Sequence, residues 1–300
     1  MSDFPNPENL PPPTGPPLST PLSVPPFVSS ADPQVDTITG EQHQDSRGRN
    51  IPRWGMGDIG LGVLVILGVA LASLVGFMIV DSLSGADLSA EDYVAPVWFL
   101  AITGLFQQTA QFSWPLIVSK WKGLGPVKDW GLKFRWVDLF IGVGSGFGMM
   151  IGAALVTAIV ASAVGLEDLD ESSNTGFLED ASGSPWLPLL IFTVVVGAPL
   201  SEELFFRGLI MRSVQKRFGQ GVGIVASTVV FTIPHYVGGG WQGTTVLFAS
   251  LGFVGATLAA LAARTGRLGS PIVAHATFNS LSVLALFLVE ENQTAWIRWL

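Results

Sequence analysis

Leu200-Ser201-Glu202-Glu203-Leu204-Phe205-Phe206-Arg207-Gly208 sets three ionisable side chains inside an apolar run, 186–211, long enough to cross a bilayer. One charge near the bilayer centre opposes insertion by about 2.5–3.5 kcal/mol, so three oppose it by roughly 7–10 kcal/mol before any pairing. Such a burden calls either for a pairing network or for a use. Two later apolar runs carry His235 and His275. The chain is therefore expected to be all-α, a polytopic membrane bundle of about seven transmembrane helices around a buried polar site.

Composition leads the same way. The 300 residues are 49% hydrophobic and only 13% charged, whereas a soluble domain carries about 25% charged residues. Cysteine is absent, which excludes disulfides, thiolate metal sites, a cysteine nucleophile and palmitoylation. The net charge of −8 gives no footprint for a nucleic-acid partner. Residues 1–50 hold eleven prolines and no long apolar run. They are expected to form a disordered cytoplasmic tail, without a signal peptide ahead of Ile59, followed by a membrane domain over 51–300.

Apolar runs near the spanning length occur at 57–80, 94–118, 137–164, 186–211, 221–236, 244–263 and 270–289. The charges of the intervening loops alternate. Arg47, Arg49 and Arg53 precede the first run, and Asp81, Asp87, Glu91 and Asp92 follow it. Lys120, Lys122, Lys128, Lys133 and Arg135 follow the second, and the stretch from Glu167 to Asp180 is acidic. Arg212, Lys216 and Arg217, then Arg264 and Arg267, mark the basic side again, and Glu290 and Glu291 close the chain on the acidic side. Positive loops stay in the cytoplasm. The expectation is an integral protein of the plasma membrane, amino terminus cytoplasmic and carboxyl terminus outside, with the lipid bilayer as its constant partner.

Two local patterns concern packing. Gly144, Gly148 and Gly152 recur every four residues and offer one smooth helical face for close backbone approach. The stretch from Trp130 to Leu139 mixes aromatic, apolar and charged residues and reads as an interfacial segment on the cytoplasmic surface.

Within the fourth run, Glu203 and Arg207 are four apart and share a helical face, so they can neutralise each other. Glu202 points about 100° away and is left without a local partner. Gly197 and Pro199 lie a turn earlier, where proline removes a backbone bond and can kink the helix toward a cavity. Pro234 puts His235 beside an irregular turn. Ser270-Pro271 reads as an N-cap followed by proline in the first turn, and His275 and Asn279 then share one face. Measured from the cytoplasmic helix ends, Glu202, His275, Asn279 and His235 fall at roughly 13, 8, 14 and 21 Å. These depths allow one cavity between the cytoplasmic half and the midplane.

The order Glu202-Glu203-Leu204-Phe205-Phe206-Arg207, then Phe231 to His235, then His275 to Asn279, resembles the CPBP family of intramembrane proteases, also called Abi, which includes the type II CAAX prenyl endopeptidases. Trp130-Gly131-Leu132 is also similar to family members. The resemblance covers the last third of the chain. It implies an endopeptidase acting on a membrane-associated protein or peptide near the cytoplasmic face. In that reading Glu202 and His235 activate water, His275 and Asn279 stabilise the oxyanion, and Glu203, Arg207 and Phe231 shape the site. A metal-free glutamate mechanism is the expectation. Glu202, His235 and His275 are the alternative zinc ligands, being the two-His-one-Glu set of a catalytic centre.

Two other classes compete. A non-catalytic membrane scaffold or bacteriocin immunity protein would keep its function when Glu202 or His235 is replaced by alanine. A proton-coupled transporter would use paired intramembrane carboxylates and histidines, but no internal repeat or matched pair of broken helices accompanies them.

Overall fold

The computed structural model describes residues 52–85, 95–167, 176–236 and 240–298. The proline-rich segment 1–50, expected as a disordered tail, lies outside the described residues. The remainder is helical, with no strand among the described residues: α1 Met56–Leu83, α2 Val97–Lys122, α3 Pro126–Asp129, α4 Trp136–Val164, α5 Gly176–Glu179, α6 Leu187–Phe218, α7 Gln220–Thr232, α8 Trp241–Thr265 and α9 Gly269–Arg298. The all-α bundle stands as read from the sequence.

Among the described residues, five helices are long and apolar enough to cross a membrane: α1, α4, α6, α8 and the Gly269–Leu288 part of α9. Two of the seven expected spans differ. The run 94–118 forms a 26-residue helix, α2, made less apolar by Gln107, Gln108, Thr109 and Gln111. The run 221–236 becomes the 13-residue α7, about 20 Å long and short of the roughly 30 Å hydrocarbon core. Pro234 stops it in a tight 3₁₀ turn, Ile233–His235.

Helix α4 is the spine against which α8 and α9 pack, while α1 lies on α2 and α2 on α6. One side of α4 presents Phe140, Phe147, Ile151, Leu155 and Ile159 outward, as a lipid-facing stripe should. The opposite side is close-packed, but not at the glycines expected. A Cβ on Gly142 would collide with Val273 of α9, and one on Gly146 with Thr277, whereas Gly144 and Gly148 face open space and Gly152 meets Phe253 of α8. The backbone approach uses the stripe two residues out of register with Gly144 and Gly148. Gly142→Val is therefore expected to destabilise the fold by about 1–3 kcal/mol through overpacking. Gly148→Val should leave the melting temperature of the purified protein unchanged.

The end of the bundle bearing the basic loops is tied together by three buried aspartates. Asp58 accepts from Lys122 Nζ at 2.6 Å and from the Gly55 N–H at 2.9 Å. Asp129 accepts from Ser119 Oγ at 2.5 Å and from the N–H groups of Leu124 and Gly125 at 2.8 and 3.0 Å. Asp138 accepts from the Arg135 N–H at 2.7 Å, Arg267 Nε at 2.8 Å and the Ser270 hydroxyl. Ser270 thus serves the buried Asp138 carboxylate rather than capping its own helix, which begins at Gly269. Trp130, expected at the membrane interface, is fully buried instead. Its Nε1 donates to Pro115 O at 2.9 Å and its ring packs 4.6 Å from that of Trp54. Gly131 beside it has φ +66°, and any side chain there would meet Arg212 and the Gly266 carbonyl.

Candidate active site

Helix α6 carries the carboxylates, and its geometry departs from the expected kink. The backbone stays helical through Pro199 but widens into π-helical turns at Thr193–Gly197 and Glu203–Ile210, a form of helix common at functional sites. Proline explains the first. In a regular α-helix the Pro199 ring would press on the carbonyl four residues back, and widening relieves that contact. In the wider register the donor for Val194 O would be the N–H of residue 199, which proline lacks. Asn279 Nδ2 of α9 donates to Val194 O instead, at 2.8 Å. Next to it, Gln108 Nε2 of α2 donates to Thr193 O at 2.9 Å.

Glu203 and Arg207 pair as their spacing requires. Both are fully buried, with Arg207 Nη1 to Glu203 Oε1 at 3.0 Å. Arg207 also donates from Nη2 to Gly255 O at 3.0 Å and lies 4.3 Å from the Phe231 ring centre. Glu203 Oε1 accepts from His275 Nδ1 at 2.9 Å. A carboxylate can only accept, so Nδ1 carries the proton and Nε2 is the imidazole's working end. That nitrogen lies 3.9 Å from Glu202 Oε2, close but beyond a hydrogen bond.

Glu202 is the exception in this network. Its Oε2, like Glu203 Oε2 and Arg207 Nε, is buried without a hydrogen-bond partner among the described residues, but its side chain keeps 16% exposure whereas those of Glu203 and Arg207 keep none. His235 repeats the proline device of Asn279. In the i→i+3 register of its turn, the Phe231 carbonyl would be served by residue 234, which is proline, and His235 Nδ1 donates to that carbonyl at 2.8 Å. The proton on Nδ1 leaves Nε2 as an acceptor in the neutral ring. Phe231 sits between the two histidines, 4.8 Å from the His235 ring and 5.9 Å from that of His275.

Glu202, His235, His275 and Asn279 line one cavity of about 440 Å³, with Phe231 in its wall. Sequence reasoning named each of these residues. It missed Gln108 of α2, Ser250 of α8 and Ser282 of α9, which line the same space. For Gln108 a signal existed, an amide pair in the middle of an apolar helix. Ser250 and Ser282 carry no mark that separates them from ordinary helix serines. Among the described residues no three His, Asp or Glu side chains are grouped to hold a metal ion.

The cavity reaches beyond the four residues whose depths were compared. From Glu202 and His275 its wall runs along α9 to Ser282 and Val283, back along α8 from Val254 to Val246, and on to Thr157 of α4 and Phe177 of α5. Every one of these directions leads toward the acidic end of the bundle. On the side of the basic loops the site is closed by a buried cluster that includes Trp54, Trp130, Leu204, Phe205, Leu209 and Ile210.

Residues 184–281 match the family model described as Type II CAAX prenyl endopeptidase, Rce1-like. The similarity covers about a third of the chain. The Rce1-like match begins just ahead of α6 and ends within α9, so it contains Glu202, Glu203, Arg207, Phe231, His235, His275 and Asn279. The five long apolar helices make the chain an integral membrane protein, and its segment 184–281 is similar to an endopeptidase family. No curated protein and no solved structure matches the chain.

Proposed function

We propose that the protein is an intramembrane endopeptidase that hydrolyses a peptide bond of a membrane-associated protein or peptide with a glutamate-activated water. The observation that carries this reading is Glu202. It is a carboxylate with an unpartnered oxygen, on the wall of a cavity that also presents His235, His275 and Asn279. The Glu203–Arg207 ion pair is shut away completely, whereas a general base has to reach the space that water can enter, as the Glu202 side chain does.

In this mechanism Glu202 takes a proton from the water as its oxygen attacks the scissile carbonyl, with His235 Nε2 accepting the water's second hydrogen to orient it. The electron pair of the C=O bond moves to oxygen. His275, protonated at Nε2, and the second N–H of Asn279 donate to that oxyanion; one such donor contributes about 3–4 kcal/mol in a dry site. Collapse of the tetrahedral intermediate breaks the C–N bond, and Glu202 returns its proton to the leaving amine. Glu203 and Arg207 act through His275 by fixing its ring and balancing its charge. The alternating loop charges support a plasma-membrane orientation with the basic loops cytoplasmic.

The membrane proteomes of cells expressing the wild-type chain and Glu202→Ala are the test. A precursor that accumulates only with the variant, and that the purified wild-type protein cleaves, is the expected outcome; identical proteomes would refute the assignment. Cleavage of that precursor should persist in a metal chelator. Loss in chelator with recovery on added zinc would reassign Glu202, His235 and His275 as ligands.

A further inference from the structure

We infer that Gln108 of α2 is a further substrate-binding residue, the second N–H of its amide donating to a main-chain carbonyl of the bound peptide close to the scissile bond. This role rests on the proposed function, to whose reacting groups it adds a hold on the substrate backbone.

Three features of this amide carry the assignment. The first is its fixed orientation. Nε2 donates to Thr193 O at 2.9 Å, and a carbonyl oxygen can only accept, so the nitrogen and not Oε1 faces Thr193. On its other side Oε1 rests against Gly197, where an added Cβ would collide with it. The amide plane is held at both ends, and the second N–H of Nε2 finds no acceptor among the described residues. The second feature is that the main chain does not need this bond. The Ala198 N–H already donates to Thr193 O in the wide turn, so Gln108 makes good no deficit there. Asn279 differs, because Pro199 deprives Val194 O of its donor. An amide is costly to bury in an apolar helix, and the donor still free is the use left to this one. The third feature is place. Gln108 lines the cavity together with Val194, Ala198 and Glu202 of α6, a strip of four-residue spacing. Val194 and Glu202 are roughly 10–12 Å apart along the helix, the reach of about three extended residues. A peptide laid along that strip with its scissile carbonyl at Glu202 brings its neighbouring peptide groups to Gln108.

The chemistry of the occupant calls for such a donor. Each residue of an extended peptide brings one C=O, and a carbonyl left bare in a water-poor cavity opposes binding. Ser282 on the same wall is already committed, its hydroxyl donating to Phe278 O at 3.0 Å. His235, His275 and Asn279 serve the water and the oxyanion. Gln108 grips the main chain and not a side chain, so it adds affinity without selecting a sequence.

The probe is a synthetic peptide spanning the cleavage site of the precursor that accumulates with Glu202→Ala. Its cleavage by the purified full chain, and its survival with Glu202→Gln, are established first, so any later failure falls on Gln108 and not on the protease reading. Gln108→Met keeps the volume and loses both donors. Gln108→Glu, as the neutral acid, keeps one O–H for Thr193 O and has none for substrate. Both variants are expected to raise KM about tenfold and leave kcat unchanged, the pattern of a lost binding contact. The deciding measurement is a cycle with peptides that each carry one amide-to-ester change outside the scissile bond. One of these esters, its carbonyl a poorer acceptor, should cost the wild type about five- to tenfold in kcat/KM and cost either variant nothing. Equal losses from every ester in all three proteins overturn the inference, as does a wild-type KM in the Gln108→Glu variant. Failure of both variants to fold would make the amide a brace of α2 on α6 and overturn it too.

Discussion

Glu202→Gln is expected to lower turnover by about 10³-fold while leaving the amount of folded protein in the membrane unchanged. Both halves follow from one feature. General base catalysis contributes about 10²–10⁴-fold, and the amide keeps the carboxylate's shape but cannot take a proton. Stability is spared because Glu202 Oε2 forms no hydrogen bond to lose among the described residues. The measurements are single-turnover cleavage of an accumulated precursor and the melting temperature of the purified variant. A Glu202→Gln protein that melts far below the wild type would mean that the carboxylate is part of the scaffold. One that cleaves at the wild-type rate would remove it from the chemistry.

Arg207→Ala should show the reverse balance, a loss of about 3–5 kcal/mol in stability, because it strands a buried carboxylate. Arg207 is fully buried and is held by Glu203, by the Gly255 carbonyl and by the face of Phe231. The variant is expected at much reduced abundance and with a lower melting temperature. The double change Glu203→Gln with Arg207→Met removes both charges together, and a neutral packed pair of similar volume restores much of that stability. It should not restore cleavage, because His275 would no longer have a charged partner at Nδ1. If the double variant regains both stability and turnover, the pair serves packing alone.

Much of this was legible in the sequence because membrane helices leave few choices. Residues four apart share a face, so Glu203 with Arg207 and His275 with Asn279 could be paired before any coordinates. Glu202 stood out by exclusion. The helix count was less legible. Length alone does not distinguish a spanning helix from α7, which Pro234 ends early, and the polar residues of α2 lower its apolar character without shortening it. The glycine face failed for a related reason. Periodicity finds a smooth stripe, but Gly142 and Gly146 form a second one on α4, and only contact with Val273 and Thr277 decides which is used. Depth estimates measured single side chains from the helix ends and carried no information on how far the cavity extends, to Thr157 of α4 and Phe177 of α5.

The two prolines of the site have a consequence for how it moves. Pro199 and Pro234 each take a donor from the helical ladder, and Asn279 and His235 make good the deficit at Val194 O and Phe231 O. A side chain recruited to mend the main chain has lost its rotational freedom before anything binds, so substrate need not supply that ordering entropy. The mending also acts as a tether. For Asn279 or His235 to swing away, a lipid-embedded carbonyl must be left bare, a cost of several kcal/mol, and the reacting geometry is held through the cycle by the same bonds that keep two helices whole.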